Sequence, residues 1–152
     1  MTPWNGSLEG EHTVILEARG YKTERKAISL LEAGGEVTVV SRSLTAKLRE
    51  LAGSGKMKHL QKEFEEKDLA GAFLVVAATD APDVNRLAAG FCRKRHVLVN
   101  VAAPPEESTF LVPSVVDRGD LLIAVSTSGT SPALSKKIRK ELEGKYGPEY
   151  EL

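Results

Sequence analysis

Four short apolar runs, each five or six residues long, recur within the first 101 residues of the chain. They are rich in Val, Ile and Leu and lie at residues 13–17, 36–40, 73–78 and 96–101. The run at 73–78 is continuously apolar, which is typical of a strand that is buried on both faces of a parallel sheet, and the other three runs also predict strands. Three segments between them have the apolar spacing of helices: 22–33, 44–52 and 80–95. Strands that alternate with helices predict an α/β fold with a Rossmann-like, doubly wound parallel sheet.

The pattern changes after residue 108. Two β-branched runs, at 110–116 and 121–127, flank a short polar turn and predict a strand pair. One apolar stripe then predicts a helix from Pro132 to Gly144. We therefore expect a nucleotide-binding, Rossmann-like domain at residues 1–108, followed at 109–152 by a short strand pair and a C-terminal helix.

Charge and cysteine content narrow the classes of function. The 152 residues include 21 Lys and Arg and 21 Asp and Glu, so no excess of positive charge favours nucleic acid or an anionic membrane as a partner. The longest apolar runs are too short to cross a bilayer. A single cysteine, Cys92, excludes an intramolecular disulfide and is typical of a reducing, cytoplasmic setting. The three histidines lack metal-ligand spacing, and no metal site is expected.

The turn after the first strand is where a dinucleotide-binding fold carries its glycine-rich fingerprint. Residues 18–23 read Ala-Arg-Gly-Tyr-Lys-Thr, so only the middle glycine, Gly20, is present. Gly20 would let the backbone approach a pyrophosphate, and Tyr21 and Lys22 complete the candidate turn. An ordinary strand–helix turn explains the same residues.

Polar residues also follow the second and third strands. Arg42 and Ser43 stand where a ribose-reading carboxylate is expected, and an Arg beside hydroxyls suits a 2′-phosphate, as in NADP. Alternatively, this is a solvated loop in which Ser43 caps the next helix. Thr79 and Asp80 follow the third strand and are expected to line the crevice, unless Asp80 only caps a helix.

A loop of small hydroxyl residues precedes the last helix. Residues 126–131 read Ser-Thr-Ser-Gly-Thr-Ser, and Pro132 follows them. Hydroxyls and backbone N–H groups at a helix start can hold an anion, but Ser131 is also a good N-cap in its own right. Asn100 is a polar break in the fourth strand and is either a ligand donor or a satisfied turn residue.

Several segments together resemble the N-terminal domain of siroheme synthases, the precorrin-2 dehydrogenase and sirohydrochlorin ferrochelatase family. The most specific are Ala77-Ala-Thr-Asp80 with Val84-Asn85, and Pro113-Ser-Val-Val-Asp-Arg118. The resemblance implies NAD-dependent oxidation of precorrin-2 to sirohydrochlorin, iron or cobalt insertion in some members, and a homodimer. It also implies that the tetrapyrrole is bound by Asn100, Ser114, Ser128, Thr130 and Ser131, with Arg118 as a further partner for its carboxylates.

Two positions depart from the family pattern. Where the family has a Gly-Gly-Gly-x-Val-Ala turn, residues 18–23 read Ala-Arg-Gly-Tyr-Lys-Thr, so most of the glycines are missing. Ala103 stands where the family has the Asp that serves as catalytic base and in chelation. A methyl group cannot accept a proton or hold a metal, and loss of such a base costs about 10²–10⁴ in rate. Two hypotheses therefore stay open. One is a precorrin-2 dehydrogenase that uses NAD or, through Arg42, NADP; the other is a catalytically impaired module that binds a tetrapyrrole or metal-tetrapyrrole.

Overall fold

A five-stranded, fully parallel sheet dominates the fold. The structure is a computed structural model and describes residues 8–16 and 21–151. The strands lie in the order β3-β2-β1-β4-β5, and their bounds are β1 (His12–Leu16), β2 (Glu36–Ser41), β3 (Lys58–Gln61), β4 (Leu74–Ala77) and β5 (Leu98–Val101). The helices between them are α1 (Tyr21–Glu32), α2 (Ala46–Gly53) and α3 (Pro82–Lys94), with short 3₁₀ helices at Glu66–Leu69 and Pro105–Glu107. The α/β, Rossmann-like fold class predicted from the sequence is confirmed.

The two central strands are buried on both faces. Residues 14–16 of β1 and 74–77 of β4 are at most 2% exposed. Side chains project alternately to the two faces of a strand, so helices on both sides must cover them. This double burial is why these strands are encoded as continuous apolar runs rather than as alternating patterns.

The two edge strands are completed in different ways. β3 pairs with β2 on one side only and carries exposed polar residues such as Lys58 and Gln61. It lacks an apolar run and was not predicted from the sequence. The outer edge of β5 is covered by the chain that follows it, because the hydroxyls of Ser108 and Thr109 accept from the backbone N–H groups of Val101 and Val99 at 2.7 and 3.0 Å.

Two helix starts differ from the expectation. The N-cap of α2 is Thr45, whose hydroxyl accepts from the Leu48 N–H at 3.3 Å, so Ser43 does not cap this helix. The N-cap of α3 is Ala81, which forms no side-chain capping bond, so Asp80 does not cap α3. Pro82 at the first position has no N–H, which leaves one donor fewer to satisfy.

Cys92 is a core residue of α3. Its side chain is fully buried among the apolar residues that pack between α3 and the sheet. Burial raises the pKa of the thiol to about 11, because a charged thiolate is poorly solvated there. The residue is therefore a neutral packing group at physiological pH.

The residues from Leu111 onward form a second compact unit, and Leu8–Phe110 form the first. The second unit contains an antiparallel pair, β6 (Ser114–Arg118) and β7 (Leu121–Val125), and the helix α4 (Pro132–Lys145). Within this second unit, Arg118 connects β6 to the end of α4, because its Nε donates to the Tyr146 carbonyl at 2.8 Å and its Nη2 to the Glu143 carbonyl at 3.3 Å. Its guanidinium is thus committed to the C-terminal end of α4.

None of the helices in residues 8–16 and 21–151 has the length and apolar character that a membrane span requires.

We expect the Leu30→Ala variant to lose about 2–5 kcal/mol of unfolding free energy, because it opens a cavity beneath α1. Leu30 is fully buried. The matched control is Leu87→Ala, at a leucine that is 52% exposed, and it should lose less than about 1 kcal/mol. Urea unfolding followed by circular dichroism measures both. Equal losses in the two variants would contradict the assigned core.

Candidate functional site

The carboxyl ends of the parallel strands meet at one edge of the sheet. Leu16, the last residue of β1, lies beside Val40 of β2 and Ala77 of β4. Ala77 in turn lies beside Val101 of β5. Between β1 and β4 the strand order reverses, and open α/β sheets bind their ligands in the crevice at this switch point. The loops that follow these strands form the candidate site.

The predicted nucleotide-binding turn comprises Gly20, Tyr21 and Lys22. Gly20 is outside the described residues. The same holds for the side chains of Tyr21 and Lys22, whose backbone begins the helix. Their contacts with a nucleotide stay a prediction.

Asn85 connects the loops that follow β4 and β5. This fully buried α3 side chain accepts through Oδ1 from the Thr79 backbone N–H at 3.0 Å and the Thr79 hydroxyl at 2.6 Å. Its Nδ2 donates to the Thr79 carbonyl at 3.2 Å and to the Ala103 carbonyl at 2.8 Å. All four hydrogen-bonding positions of the amide are used. Sequence reasoning assigned no such role to Asn85, although it brings together two residues that were singled out.

Ala103 itself is exposed and lies in a loop with fixed ends. Arg93 of α3 holds the far end, because its Nη1 lies 2.5 Å from Glu107 Oε2 and its Nη2 donates to the Glu107 carbonyl at 2.6 Å. The side chains of Asn85 and Arg93 therefore position this loop, and the only side-chain carbon that Ala103 presents is a methyl group.

Asn100 spans two elements of the first unit. It is 9% exposed, its Oδ1 accepts from the Lys26 ammonium at 3.2 Å, and its Nδ2 donates to the Phe110 carbonyl at 3.1 Å. Lys26 lies on α1, so this bond ties α1 to β5. The side chain already has partners within the protein, and its role toward a substrate stays a prediction.

Arg42 borders an open groove at the carboxyl ends of β2 and β3. Its guanidinium forms an ion pair with Glu63. Lys62 Nζ lies 2.5 Å from Glu65 and 2.9 Å from Asp68. The hydrogen bond to Glu65 raises the pKa of Lys62 and lowers that of Glu65. The groove has a volume of about 680 Å³ and is lined by Arg42, Gln61, Lys62, Glu63, Phe64 and Glu65.

Ser43 and Asp80 are both exposed near this edge of the sheet. The Ser43 carbonyl accepts from the Ser41 hydroxyl at 2.7 Å, which shapes the loop after β2. Asp80 directly follows Thr79. Neither arrangement tests the predicted contact with a nucleotide.

The hydroxyl-rich loop belongs to the second unit. Ser131 is the N-cap of α4, and its hydroxyl accepts from the Leu134 N–H at 3.3 Å. The Thr130 hydroxyl donates to the Thr127 carbonyl at 2.7 Å. Ser114, the first residue of β6, lies opposite Val125, which is the last residue of β7 before the hydroxyl-rich loop. Within the described residues, the Ser114 and Ser128 hydroxyls have no hydrogen-bond partner, so they are the members of the predicted set that are open to a ligand.

Metal-binding groups do not cluster in the part of the chain that the structure describes: no three of its His, Cys, Asp or Glu side chains are placed to hold an ion together.

The fold and its crevice define an NAD(P)-binding domain of the Rossmann type. A family model described as "Putative NAD(P)-binding" matches residues 7–114. A second model, described as "Sirohaem biosynthesis protein central", matches residues 118–145. The chain belongs to the family of siroheme synthase N-terminal domains.

Relatives and one solved structure agree with this assignment. A siroheme synthase of Methylobacillus flagellatus is 45% identical over 125 residues, which cover 82% of this chain and 27% of that protein. Siroheme synthase 3 of Aeromonas hydrophila is 41% identical over 130 residues, 86% of this chain and 28% of that protein. The structure of SirC, a precorrin-2 dehydrogenase, superimposes with a TM-score of 0.83 at 30% identity and covers 95% of this chain and 70% of its own. The chain thus spans little more than a quarter of the length of these curated siroheme synthases.

We expect Asn85→Ala to destabilise the fold by about 1–3 kcal/mol, because the partly buried main-chain groups of Thr79 and Ala103 would lose the side chain that binds them. Hydrogen exchange should show a faster-exchanging Thr79 amide. Arg86→Ala is the control on the next residue, which is exposed, and should change stability by less than about 0.5–1 kcal/mol. Unchanged protection of Thr79 in Asn85→Ala would show that Asn85 does not hold the loop.

Proposed function

We propose that this chain is a precorrin-2 dehydrogenase-like domain of siroheme biosynthesis, which oxidises precorrin-2 to sirohydrochlorin with NAD⁺. The observation that carries the proposal is its likeness to SirC, a precorrin-2 dehydrogenase, over 95% of the chain. Residues 1–108 would bind the nucleotide. Residues 109–152 would contribute to the tetrapyrrole side.

The residues present fit a nucleotide at the adenosine end of the crevice. The groove beside β2 and β3 is open and bordered by Arg42, and two small residues, Ala77 at the end of β4 and Ala78 directly after it, lie at the crevice. In the proposal, Arg42 and Ser43 bind the adenosine half, and Thr79 with Asp80 lines the crevice. Gly20, Tyr21 and Lys22 would contact the pyrophosphate. The bound nucleotide would supply the hydride acceptor for the reduced tetrapyrrole.

The tetrapyrrole side rests on polar groups rather than on a cation cluster. Its carboxylates would accept hydrogen bonds from the hydroxyls of Ser114 and Ser128, with Thr130, Ser131 and Asn100 as further contacts. Arg118, which the resemblance offered for the same purpose, is committed to the end of α4. We assign it to the structure of the second unit and not to the substrate.

Ala103 favours a second candidate function, a module that binds a tetrapyrrole or metal-tetrapyrrole without turnover. The position that holds the family's Asp carries only a methyl group, while its backbone is held in place by Asn85. A site with intact walls and no base would bind the substrate and leave the proton transfer uncatalysed. Metal insertion, which the family Asp also serves, would be lost with it.

Incubation with precorrin-2 and NAD⁺, followed by the absorption of sirohydrochlorin, separates the two candidates. We expect slow turnover by the parent and a rate at least about 10²-fold higher in Ala103→Asp, because a carboxylate restores a base to a preformed loop. Ala102→Asp is the matched control, since Ala102 is an adjacent, exposed alanine, and should not gain activity. If both proteins bind the tetrapyrrole but neither turns it over, the dehydrogenase proposal is wrong and the binding module stands.

We further propose a homodimer that buries part of the second unit. Among the described residues from 111 onward, Val116 is the one buried apolar side chain, whereas Leu111 and Leu134 are 43% and 47% exposed. A unit this small covers too little apolar surface to be stable on its own account. A second copy of the chain is the partner that the resemblance implies.

Analytical ultracentrifugation tests the dimer. The parent should sediment as a dimer at micromolar concentration, and Leu134→Lys should shift it toward the monomer, because a charge would be buried at the contact. Leu87→Lys places the same charge at an equally exposed leucine of α3 and should leave the dimer unchanged. A monomeric parent, or an identical response of both variants, rules out this interface.

A further inference from the structure

Resting on the proposed function, we infer that Glu63 sets the nucleotide preference of this domain. The Glu63 carboxylate occupies Arg42 and makes the groove select a nucleotide with a free 2′-hydroxyl over one with a 2′-phosphate. Arg42 alone would predict the opposite preference, because a guanidinium at the end of the second strand is suited to a 2′-phosphate. The ion pair between the two side chains changes that expectation.

The register of β2 and β3 brings the two side chains together. Ser41 lies opposite Gln61 at the end of the paired strands, so Arg42 and the segment from Lys62 onward leave the sheet side by side. Both side chains line the same groove. In the Rossmann arrangement, the residues after the second strand read the adenosine ribose. Glu63 thus reaches the site from the segment that follows β3, 21 positions along the chain from Arg42.

Among the described residues, every cation that lines the groove already has a carboxylate partner. Arg42 pairs with Glu63, and Lys62 is held by Glu65 and Asp68 at 2.5 and 2.9 Å. A 2′-phosphate, with a charge of about −1.5 to −2 at neutral pH, would meet no available cation in this described lining and would be repelled by Glu63. A ribose diol, by contrast, can donate hydrogen bonds to the same carboxylate. Glu63 therefore acts in both directions, as a partner for the diol and as a barrier to the phosphate.

The pair acts on binding rather than on stability. The Arg42 and Glu63 side chains are each 75% exposed, and exposed ion pairs contribute little to folding. Removing the Glu63 charge should therefore leave the protein folded and change only the field that a nucleotide meets. This separates a specificity role from a merely structural one.

The test is calorimetric titration of the full chain with NAD⁺ and NADP⁺ at low ionic strength. The parent should bind NAD⁺ more tightly, and Glu63→Gln should raise the ratio of NADP⁺ to NAD⁺ affinity about five- to thirtyfold. Glu50→Gln is the matched control, because Glu50 is an exposed carboxylate of α2 that faces Lys47 at 3.8 Å outside the groove. It removes the same charge from an exposed pair and should leave the ratio unchanged.

The double variant Arg42→Gln/Glu63→Gln identifies the group that meets the phosphate. It should lose the gain in NADP⁺ affinity, because the released guanidinium is what binds the 2′-phosphate. If Glu63→Gln does not change the ratio while the parent still binds NAD⁺, the role of Glu63 is refuted and the proposed function stands. A gain that persists in the double variant also refutes it. If the parent binds neither nucleotide, the role of Glu63 and the NAD-dependent function fail together.

Discussion

Burial of β1 and β4 on both faces is the constraint from which the first unit is built. A backbone without access to water must complete its hydrogen bonds inside the protein, and in a parallel sheet it does so through neighbouring strands on both sides. β1 and β4 pair with each other, and β2 and β5 are their outer neighbours. Residues 14–16 of β1 and 74–77 of β4 are accordingly all apolar, and most of the candidate site residues lie in the loops where the strands end.

At these ends, side chains take over the hydrogen bonding that the strands no longer supply. Asn85 satisfies the backbone after β4 and β5, and Ser108 and Thr109 cover the outer edge of β5. The position of Ala103 depends on the hydrogen bond that its backbone carbonyl accepts from Asn85 and not on its own side chain. Loss of the family carboxylate is thus compatible with an unchanged loop, which is why a single substitution can separate the shape of the site from its chemistry.

Much of the fold could be predicted from the sequence because double burial leaves a direct signal. β1, β2, β4 and β5 are each rich in Val, Ile and Leu, whereas the edge strand β3 is mostly polar. The expectation that ligands bind at the carboxyl ends of parallel strands also placed Thr79 at the candidate site, whereas Ala103 was indicated by the family resemblance. It could not find Asn85, Lys26 or Glu63, because each acts through a partner on another element. Lys26 and Asn100, for example, are 74 positions apart, and no periodicity within one element reports such a contact. The hydroxyl loop was ambiguous for a different reason, since a residue that caps a helix and one that binds an anion have the same composition.

The saturated amide of Asn85 has a mechanical consequence. The loops after β4 and β5 are both hydrogen-bonded to the Asn85 side chain, so we expect them to move together rather than independently. Separating them would break the bond from Asn85 Nδ2 to the Ala103 carbonyl and leave the buried Asn85 amide without this partner. Any widening of the crevice to admit a large, flat ligand must therefore come from movement of elements on the opposite side of the switch point, while the loops after β4 and β5 stay in place.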